Sequence, residues 1–377
     1  PGASASRAFY RTDTAMKFFI IGLLAGTLIG FLPIVKPTGG FEFYPEWHGA
    51  VAAPEGIARS PRAELAKQLL PPLLVTGGAF LLDASGAVKG SFVAQDRLVA
   101  VSGNGEYLAE YQKVGRAVEF FNIKGERFWK MKSLEYPHLS RSAKLVLLLN
   151  GDHGKIRVVD FNGAEAGVKS ISGRFCTGIV FAKGSDCAAA GFLDGNYWLL
   201  GADGTVTLKG AAPAGAMVKS LAVSPDGRYL AVHYGGTAGD FVRLCDSKRK
   251  SEDEMKLKTA HLTRMPLSVN NAGSVALIDR DRFVVTDDDC DIDLEMALPP
   301  QREGHAAIDY RNGLYALAYS REKGGAQFYL LRESGEALFS RSIDEEPFLD
   351  CAFGEDVILL RGAQNLYCYS YHDPARR

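Results

Sequence analysis

The sequence predicts an all-β fold made of repeated four-stranded sheets, preceded by a membrane-spanning helix. Two observations lead to this prediction: a hairpin pattern that recurs about every 41 residues from residue 96 onward, and an uncharged apolar run at residues 18–35. The 41 glycines agree with the first observation, because they fall mostly at turns between short apolar segments. The formal net charge of −1 argues against a nucleic-acid-binding protein, which usually carries a basic face.

The apolar run reads FFIIGLLAGTLIGFLPIV. As a helix it would extend about 27 Å, which is close to the thickness of the hydrocarbon core of a bilayer. It is longer than the apolar core of an ordinary signal peptide, and no small-residue cleavage site follows it directly. We therefore expect a retained transmembrane anchor at residues 16–36, with a cleaved signal peptide as the alternative. Residues 1–15, which precede Met16, are interpreted as an upstream or non-native segment.

The charges beside the anchor predict its orientation. Arg7, Arg11 and Lys17 precede it, whereas Lys36 is the one basic residue close behind it. Because basic flanks stay in the cytoplasm, the rest of the chain is expected on the extracytoplasmic side, most simply in a bacterial periplasm. The aromatic segment FEFYPEW at residues 41–47 suits either the outer membrane–water interface or docking on the folded domain.

Three glycines in the anchor, Gly22, Gly26 and Gly30, follow one another at intervals of four residues. In a soluble helix each glycine would cost about 0.5–1 kcal/mol relative to alanine. In a bilayer the same spacing places them on one face, where helix backbones can approach closely. The spacing predicts self-association through this helix, or packing against another membrane helix.

Residues 37–72 are predicted to be a linker that contains one short helix. The helix begins at Ser60-Pro61, since serine is a favoured N-cap and proline suits the first helical position. It ends at Pro71-Pro72. The remaining residues, 73–377, carry the repeat.

The repeat is clearest where LVAVSGNGEYLAEY at residues 98–111 is set against SLAVSPDGRYLAVHY at residues 220–234. Both segments consist of an apolar strand, a turn with Asn-Gly or Asp-Gly, and a second strand that begins Tyr-Leu-Ala. Asn-Gly and Asp-Gly accept the positive φ that a tight turn requires. The offset of 122 residues corresponds to three repeats. Hairpins of the same type begin at residues 139, 179, 267, 308 and 351.

A second turn follows each hairpin, and its pattern is two apolar residues, often Asp or Asn, two variable residues and then Gly. Examples are LLDASGAV at residues 81–88 and LLGADGTVT at residues 199–207. Each repeat of about 40 residues therefore holds four short strands, which is the signature of a β-propeller blade. The chain resembles the β-propeller superfamily, in particular WD40-like and quinoprotein-like propellers, over about residues 75–377. The Trp-Asp dipeptide and Gly-His pair of WD40 repeats and the tryptophan docking motif of quinone-cofactor enzymes are absent, so the resemblance transfers no functional residue.

The hairpins predict a seven-bladed propeller. The last repeat supplies three strands, and we expect AVKGSFV at residues 87–93 to complete it as the outer strand and close the ring. An additional strand at residues 77–82 is not accounted for by this arrangement, so eight blades are the alternative.

Candidate metal ligands are few. Asp287, Asp288, Asp289, Asp291 and Asp293 bring several carboxylates together, and carboxylate oxygens are what calcium prefers. The run lacks the glycine of an EF-hand loop and falls at a repeat turn, so a solvated turn is the competing interpretation. No other cofactor is predicted.

The histidines and cysteines show no local metal-binding pattern. His138, His261 and His305 lie near the starts of repeats, where a propeller could gather them at its channel mouth. The six cysteines form no Cys-x-x-Cys pair and are expected to be buried free thiols, although a disulfide between Cys176 and Cys187 is an alternative.

No nucleophile elbow, phosphate-binding loop or dinucleotide-binding fingerprint occurs in the sequence. We therefore expect a non-catalytic scaffold that binds a protein partner in an envelope complex. The alternative is an enzyme, or a sensor of a small ligand or metal, that uses the central channel. At least three His, Asp, Glu or Arg side chains from different blades around one pocket would favour that alternative.

Overall fold

A computed structural model describes residues 42–50, 72–75, 78–82, 88–93 and 97–372 apart from 113, 300, 348, 355 and 364. The predicted anchor at 16–36, with Gly22, Gly26 and Gly30, and the predicted helix at 60–71 lie outside these residues. Within the described part of the chain, no helix is long and apolar enough to cross a membrane. The described residues between Phe43 and Tyr371 belong to one compact unit.

The described strands form eight sheets, which we number in chain order: seven have four strands and one has three. Sheet 1 consists of β2 (Leu73–Val75), β3 (Gly78–Leu82) and β4 (Val88–Val93). Sheet 2 consists of β5 (Leu98–Val101), β6 (Tyr107–Tyr111), β7 (Val118–Asn122) and β8 (Arg127–Met131). Sheet 3 consists of β9 (Tyr136–Leu139), β10 (Leu145–Leu149), β11 (Lys155–Asp160) and β12 (Glu165–Ser172). Sheet 4 consists of β13 (Cys176–Phe181), β14 (Ala188–Phe192), β15 (Asn196–Leu200) and β16 (Val206–Ala211).

The remaining sheets continue this order. Sheet 5 consists of β17 (Met217–Val223), β18 (Tyr229–Gly236), β19 (Gly239–Asp246) and β20 (Ser251–Lys256). Sheet 6 consists of β21 (Leu267–Val269), β22 (Val275–Asp279), β23 (Arg282–Thr286) and β24 (Ile292–Ala297). Sheet 7 consists of β25 (Gln301–Arg311), β26 (Leu314–Arg321), β27 (Ala326–Arg332) and β28 (Ala337–Ile343). Sheet 8 consists of β29 (Leu349–Phe353), β30 (Val357–Gly362), β31 (Asn365–His372) and, beside β31, β1 (Glu42–Ala50).

Burial follows the position of each strand within its sheet. The second strand β10 reads LVLLL and is buried at every residue, since other sheets cover both of its faces. The fourth strand β12 reads EAGVKSIS and largely alternates between exposed and half-buried residues. The first strands of neighbouring sheets contact each other, as β13 contacts β17 and β17 contacts β21. The first strands therefore lie innermost, and the fourth strands form the rim.

Hydrogen bonds explain why the repeated hairpin pattern folds as it does. The Ser224 hydroxyl donates to Asp226 at 2.6 Å and accepts the backbone N–H of Tyr229 at 2.9 Å. Gly227 completes this turn with a φ of 79°, which a residue with a side chain adopts only at a cost. Ser102 makes the same pair of bonds with Asn104 and Tyr107. The turn that the repeat predicted is thus built identically in sheets 2 and 5.

Apolar layers join neighbouring sheets. One such layer packs Leu147 and Val158 of sheet 3 against Ala190 and Phe192 of sheet 4. Similar layers lie between sheets 2 and 3, 4 and 5, 5 and 6, and 6 and 7. The core is therefore a series of interfaces between sheets, as expected of face-to-face blades.

The all-β prediction of repeated four-stranded sheets is confirmed, but the predicted closure is wrong. The outer strand of the last sheet is β1, which lies inside the predicted linker, and residues 87–93 do not take that place. The strand β4 at those residues pairs instead with β3, its neighbour in sequence, so that local pairing leaves the edge of β31 to β1. The additional strand at residues 77–82 belongs to sheet 1, and eight sheets agree with the eight-blade alternative. Of the two roles considered for FEFYPEW, a place in the folded domain fits this pairing.

All six cysteines are free, so the prediction of unpaired thiols is confirmed. Five of them are buried, and Cys187 is half-buried. Burial raises the pKa of Cys176 to about 11 and that of Cys245 to about 12, which keeps both thiols protonated at neutral pH.

Candidate functional site

The sheet topology separates the loops of sheets 2 to 7 into two sets. In a four-stranded antiparallel sheet, the turns after the first and third strands lie at one end. The turn after the second strand and the link to the next sheet lie at the other end. We call the first end the hairpin face and the second end the connection face.

Hydrogen bonds between loops agree with this division into two faces. On the hairpin face, Asn104 donates its backbone N–H to the carbonyl of Arg141 in the next sheet, and Gly184 donates to the carbonyl of Pro225. On the connection face, Leu193 of sheet 4 donates to the carbonyl of Phe175, which precedes that sheet, at 2.9 Å. Loops of one kind therefore meet loops of the same kind.

Exposed apolar side chains concentrate on the connection face. Among the described residues, nine large apolar side chains are exposed. Six belong to this face, with Val114 and Leu262 exposed by 93% and 91%: they are Val114, Leu134, Phe175, Leu193, Met217 and Leu262. The other three, Phe128, Val206 and Ile292, lie on outer strands. Exposed apolar area gathered on one side of a protein favours contact with another molecule.

A cavity of about 270 Å³ lies between the first strands of sheets 4, 5 and 6 and reaches sheet 7. The walls are mostly aliphatic, and two cationic side chains take part in them, Lys219 and Arg264. Its lining comes from residues 177–180 of β13, residues 218–221 of β17, the end of the link before β21 with Leu267, and Ala306 of β25. The cavity therefore sits at the mouth of the central channel, on the connection-face side. We call it the channel-mouth cavity.

Lys219 is fixed by acceptors behind the cavity wall. Its ammonium donates to both carboxylate oxygens of Asp240, each at 2.9 Å, and to the carbonyl of His261 at 2.6 Å. An ammonium has three protons, so these contacts use all of them. Asp240 also accepts the backbone N–H of His261 at 2.9 Å. This pair of bonds ties the link at residues 257–266 to sheet 5.

Two buried histidines extend this network. His233 lies 2.9 Å from Asp240 through Nε2, and His261 lies 2.9 Å from Asp279 through its own Nε2. Their rings meet edge to face, with centroids 5.7 Å apart. Arg282 completes the network on the far side by donating to Asp279. Every member is buried or half-buried, so the network joins sheets 5 and 6 beneath the connection face.

The titration of this network follows from its burial. Burial lowers the pKa of His233 to about 4, although Asp240 acts in the opposite direction. No described residue forms a hydrogen bond with its buried Nδ1, so protonation there would bury a donor without an acceptor. Burial alone would raise the pKa of Asp240, but hydrogen bonds from Lys219, His261 and His233 hold it below its usual range. At neutral pH the network therefore contains a neutral His233 and an ionised Asp240.

The opposite end of the inner strands carries an ion pair between distant sheets. Lys183, in the first turn of sheet 4, pairs with Asp309 on β25 of sheet 7. The other oxygen of Asp309 accepts the backbone N–H of Phe353 in sheet 8 at 2.8 Å. Because sheets 5 and 6 lie between sheets 4 and 7 in chain order, this contact joins non-adjacent sheets.

The candidate metal ligands from the sequence do not assemble into a site. In the residues that the structure describes, no group of three or more His, Cys, Asp or Glu side chains could hold a metal ion. Asp287 instead accepts the backbone N–H groups of Asp289 and Asp291 and organises the turn. The neighbouring charge of Asp288 raises the pKa of the exposed Asp289 carboxyl. The stretch from Asp287 to Asp293 is therefore a turn followed by the start of β24.

The three histidines predicted near the channel have different surroundings. His261 belongs to the buried network, and His305 is exposed on β25. His138 lies on β9, where burial lowers its pKa and the charge of His153 adds to that effect. Of the His, Asp, Glu and Arg side chains whose convergence would favour a catalytic or ligand-binding channel, Arg264 is the one that lines the channel-mouth cavity, and three were required.

Sequence analysis did not single out Arg264, Lys219 or the exposed apolar residues. A usable signal was present, because LTRMP at residues 262–266 places an arginine between apolar residues in a link between repeats. The pairing of Lys219 with Asp240 had no local signal, since 21 residues separate the two groups.

Comparison with known proteins identifies the fold. No protein-family model matches the chain, and no curated protein sequence matches it. Among solved structures, BamB from Moraxella catarrhalis is 12% identical with a TM-score of 0.56, and the match covers 87% of this chain and 98% of BamB. The dihydro-heme d1 dehydrogenase NirN, in complex with DHE, is 13% identical with a TM-score of 0.56, covering 87% of this chain and 79% of NirN.

In total 1325 solved chains match, so the architecture is widespread and does not by itself identify a function. The repeated four-stranded sheets, packed through their innermost strands, together with the likeness to these two solved structures, show that the chain has a β-propeller fold.

Proposed function

We propose that this chain is a membrane-anchored, extracytoplasmic β-propeller that acts as a non-catalytic scaffold and binds a protein partner through its connection face. The observation that carries the proposal is the location on that face of six of the nine large apolar side chains that are exposed in the described part of the chain. Burying such side chains against a partner yields about 25 cal/mol per Å² of apolar area, which makes a face that carries several of them a favourable contact surface.

The membrane part of the proposal rests on the uncharged run at residues 18–35 and the basic residues before it. Resistance of the full chain to extraction by alkaline carbonate supports a retained anchor, whereas release into the supernatant contradicts it. Protease added to intact spheroplasts tests the side of the membrane. Digestion of the propeller supports the extracytoplasmic assignment, and protection contradicts it.

Site-specific photo-crosslinking in the native membrane tests the scaffold role. A photoreactive phenylalanine analogue at Met217 or Phe175 probes the connection face. The same analogue at Val206 or Ile292 is the matched control, because exposure at these pairs is similar: 41% against 39%, and 50% against 45%. A reproducible protein adduct from the connection-face positions alone supports the proposal. Equal adducts from both sets, or none from the connection face, contradict it.

The second candidate function is binding of a small ligand in the central channel, as in an enzyme or sensor. The channel-mouth cavity favours it, and the structure of NirN in complex with DHE shows that a protein of this fold can hold a ligand. The cavity volume of about 270 Å³ lies below the 300–1,000 Å³ typical of ligand pockets, which weighs against a large cofactor. A heme- or metal-dependent absorption band in protein purified from its native membrane would support this candidate over the scaffold.

We also propose that Gly22, Gly26 and Gly30 form a helix-packing face in the membrane. Replacing Gly26 with leucine is expected to reduce association in a membrane-based reporter assay, and Leu24→Ala serves as the matched control. Association that is unchanged by Gly26→Leu contradicts packing through this face.

A further inference from the structure

We infer that the channel-mouth cavity receives an acidic side chain of the protein partner, presented within an apolar segment, and that Arg264 binds its carboxylate. This inference rests on the proposed scaffold function and adds the chemistry of the partner to it. Four features of the described residues carry it: the placement of Arg264, the saturation of Lys219, the size of the cavity and the apolar side chains around it.

Arg264 is held in place without being neutralised. One Nη2 N–H donates to the backbone carbonyl of Thr177 on β13, which holds the guanidinium against sheet 4. A guanidinium has five N–H donors, so most of them remain for a ligand. No carboxylate of the described residues forms an ion pair with Arg264, and the hydrogen bond it does make is exposed to solvent. A positioned guanidinium with unused donors is suited to bidentate binding of a carboxylate.

Lys219 supports the site without binding the ligand. Its three protons are already donated to Asp240 and His261, and its charge is balanced by Asp240. Since His261 lies three residues before Arg264, these bonds fix the segment that carries the arginine. Recognition of an incoming charge is therefore left to Arg264.

The cavity favours a side chain over a free ligand. Its volume of about 270 Å³ suits one or two side chains, and Val218, Leu221 and Met265 supply apolar wall. The exposed Met217 directly precedes Val218 in sequence, and the exposed Leu262 lies two residues before Arg264. A small free carboxylate would leave both of these side chains in water. An acidic residue flanked by apolar residues would pair with Arg264 and cover them together.

Selection of random twelve-residue peptides on phage, with the full chain in lipid nanodiscs as target, tests the inference directly. Enriched peptides are expected to carry Asp or Glu flanked by apolar residues. Arg264→Met should weaken their binding by roughly tenfold or more, because a charge-assisted bidentate pair is lost. Arg264→Lys should retain part of the affinity, since it keeps the charge but loses the fork geometry. Arg127→Met on the rim strand β8 is the control and should leave binding unchanged.

Three outcomes overturn the inference: enrichment of no peptide, enrichment of peptides without an acidic residue, or equal binding to the Arg264→Met variant. Competition by millimolar acetate or glutamate with no apolar part would show a free carboxylate site instead of a docking site, and would also overturn it. Equal urea midpoints for Arg264→Met and the parent chain exclude unfolding as the cause of lost binding.

The photo-crosslinks distinguish this inference from the scaffold proposal. Adducts from Met217 or Phe175 that persist in the Arg264→Met variant leave the scaffold intact and refute the role of Arg264. Absence of adducts in the parent chain refutes the scaffold itself.

Discussion

The buried His233 is expected to make the stability of the propeller depend on pH below neutrality. Burial lowers its pKa from the usual value near 6.5 to about 4. Between these values the unfolded chain binds a proton that the folded protein excludes. The stability that comes from keeping His233 neutral is therefore fully present above about pH 6.5, and it is lost progressively as the pH falls toward 4.

The size of the effect follows from the two pKa values. At pH 5 the unfolded histidine is almost fully protonated and the folded one is almost fully neutral, so His233 alone removes about 2 kcal/mol of the stability present at pH 7.5. This is a large share of the 5–15 kcal/mol typical of a folded domain. Other groups titrate in the same interval, so the contribution of His233 has to be isolated by comparison with a variant.

Replacement of His233 by glutamine isolates this contribution. The Gln amide nitrogen lies at about the position of Nε2 and can keep the hydrogen bond to Asp240, which His233 makes at 2.9 Å, but it does not titrate. Urea unfolding of both proteins at pH 7.5 and pH 5.0 gives the two losses of stability. We expect the parent chain to lose about 2 kcal/mol more than the variant. His372→Gln, at an exposed histidine, is the control and should keep the parent's pH dependence.

Parallel losses in the parent chain and the His233→Gln variant would refute the reasoning. They would show that His233 binds its proton equally well in the folded and unfolded states. A change in the slope of the urea dependence would invalidate the comparison, so the slopes have to agree within error.

Three further predictions concern stability and thiol reactivity. Asp240→Ala leaves Lys219 without its counter-ion and should lower the free energy of unfolding in urea by about 3–5 kcal/mol. Asp344→Ala is the control and should cost under about 1 kcal/mol, because Asp344 belongs to a surface ion pair and is 81% exposed. Similar losses for the two variants would contradict the importance of the buried pair. Gly227→Ala places a Cβ 2.4 Å from Cys187 Sγ and should lower the free energy of unfolding by about 1–3 kcal/mol more than Gly125→Ala does. Gly125 is the control because its φ is similar and no atom lies within 4 Å of the added Cβ. Equal urea midpoints for the two variants would contradict this prediction. In the native protein at pH 8, Ellman's reagent should modify one thiol in a fast phase, because Cys187 is half-buried and the other five cysteines are buried. Cys187→Ser should abolish this fast phase. A fast phase that remains in the variant would show that another cysteine reacts.

Much of the fold could be predicted because its determinants are local. The Ser-x-Asp-Gly turn at Ser224 satisfies its own backbone within six residues, so its sequence alone identifies it. The same holds for Ser102, and equal spacing of such turns reveals the repeat. The prediction of how the last sheet is completed was wrong because that pairing is not local. β1 pairs with a strand more than 300 residues away, and nothing within FEFYPEW specifies that partner.

The candidate site was less predictable because its groups come from separate repeats. His261 was considered as a channel ligand, but its role depends on Asp279 and on Lys219, which approach it only after sheets 5 and 6 pack. Likewise, the apolar side chains of the connection face are scattered singly through the sequence. They reach the same face only when the loops of successive sheets lie side by side, so no window of the sequence displays them together.

Sheet 8 combines β1 with three strands from the other end of the described chain, and this has a consequence for synthesis of the protein. The ribosome makes β1 first, and about 300 residues separate Ala50 from Leu349 at the start of β29. At about 5–20 residues per second, β1 emerges roughly 15–60 s before the strands it will join. An unpaired strand with free edges is a target for the wrong partner during that interval. Pro45, which removes one backbone donor from β1, limits such pairing, as prolines do in edge strands. Completion of the last sheet thus requires β1 to remain unpaired, and free of wrong partners, until β31 has been synthesised.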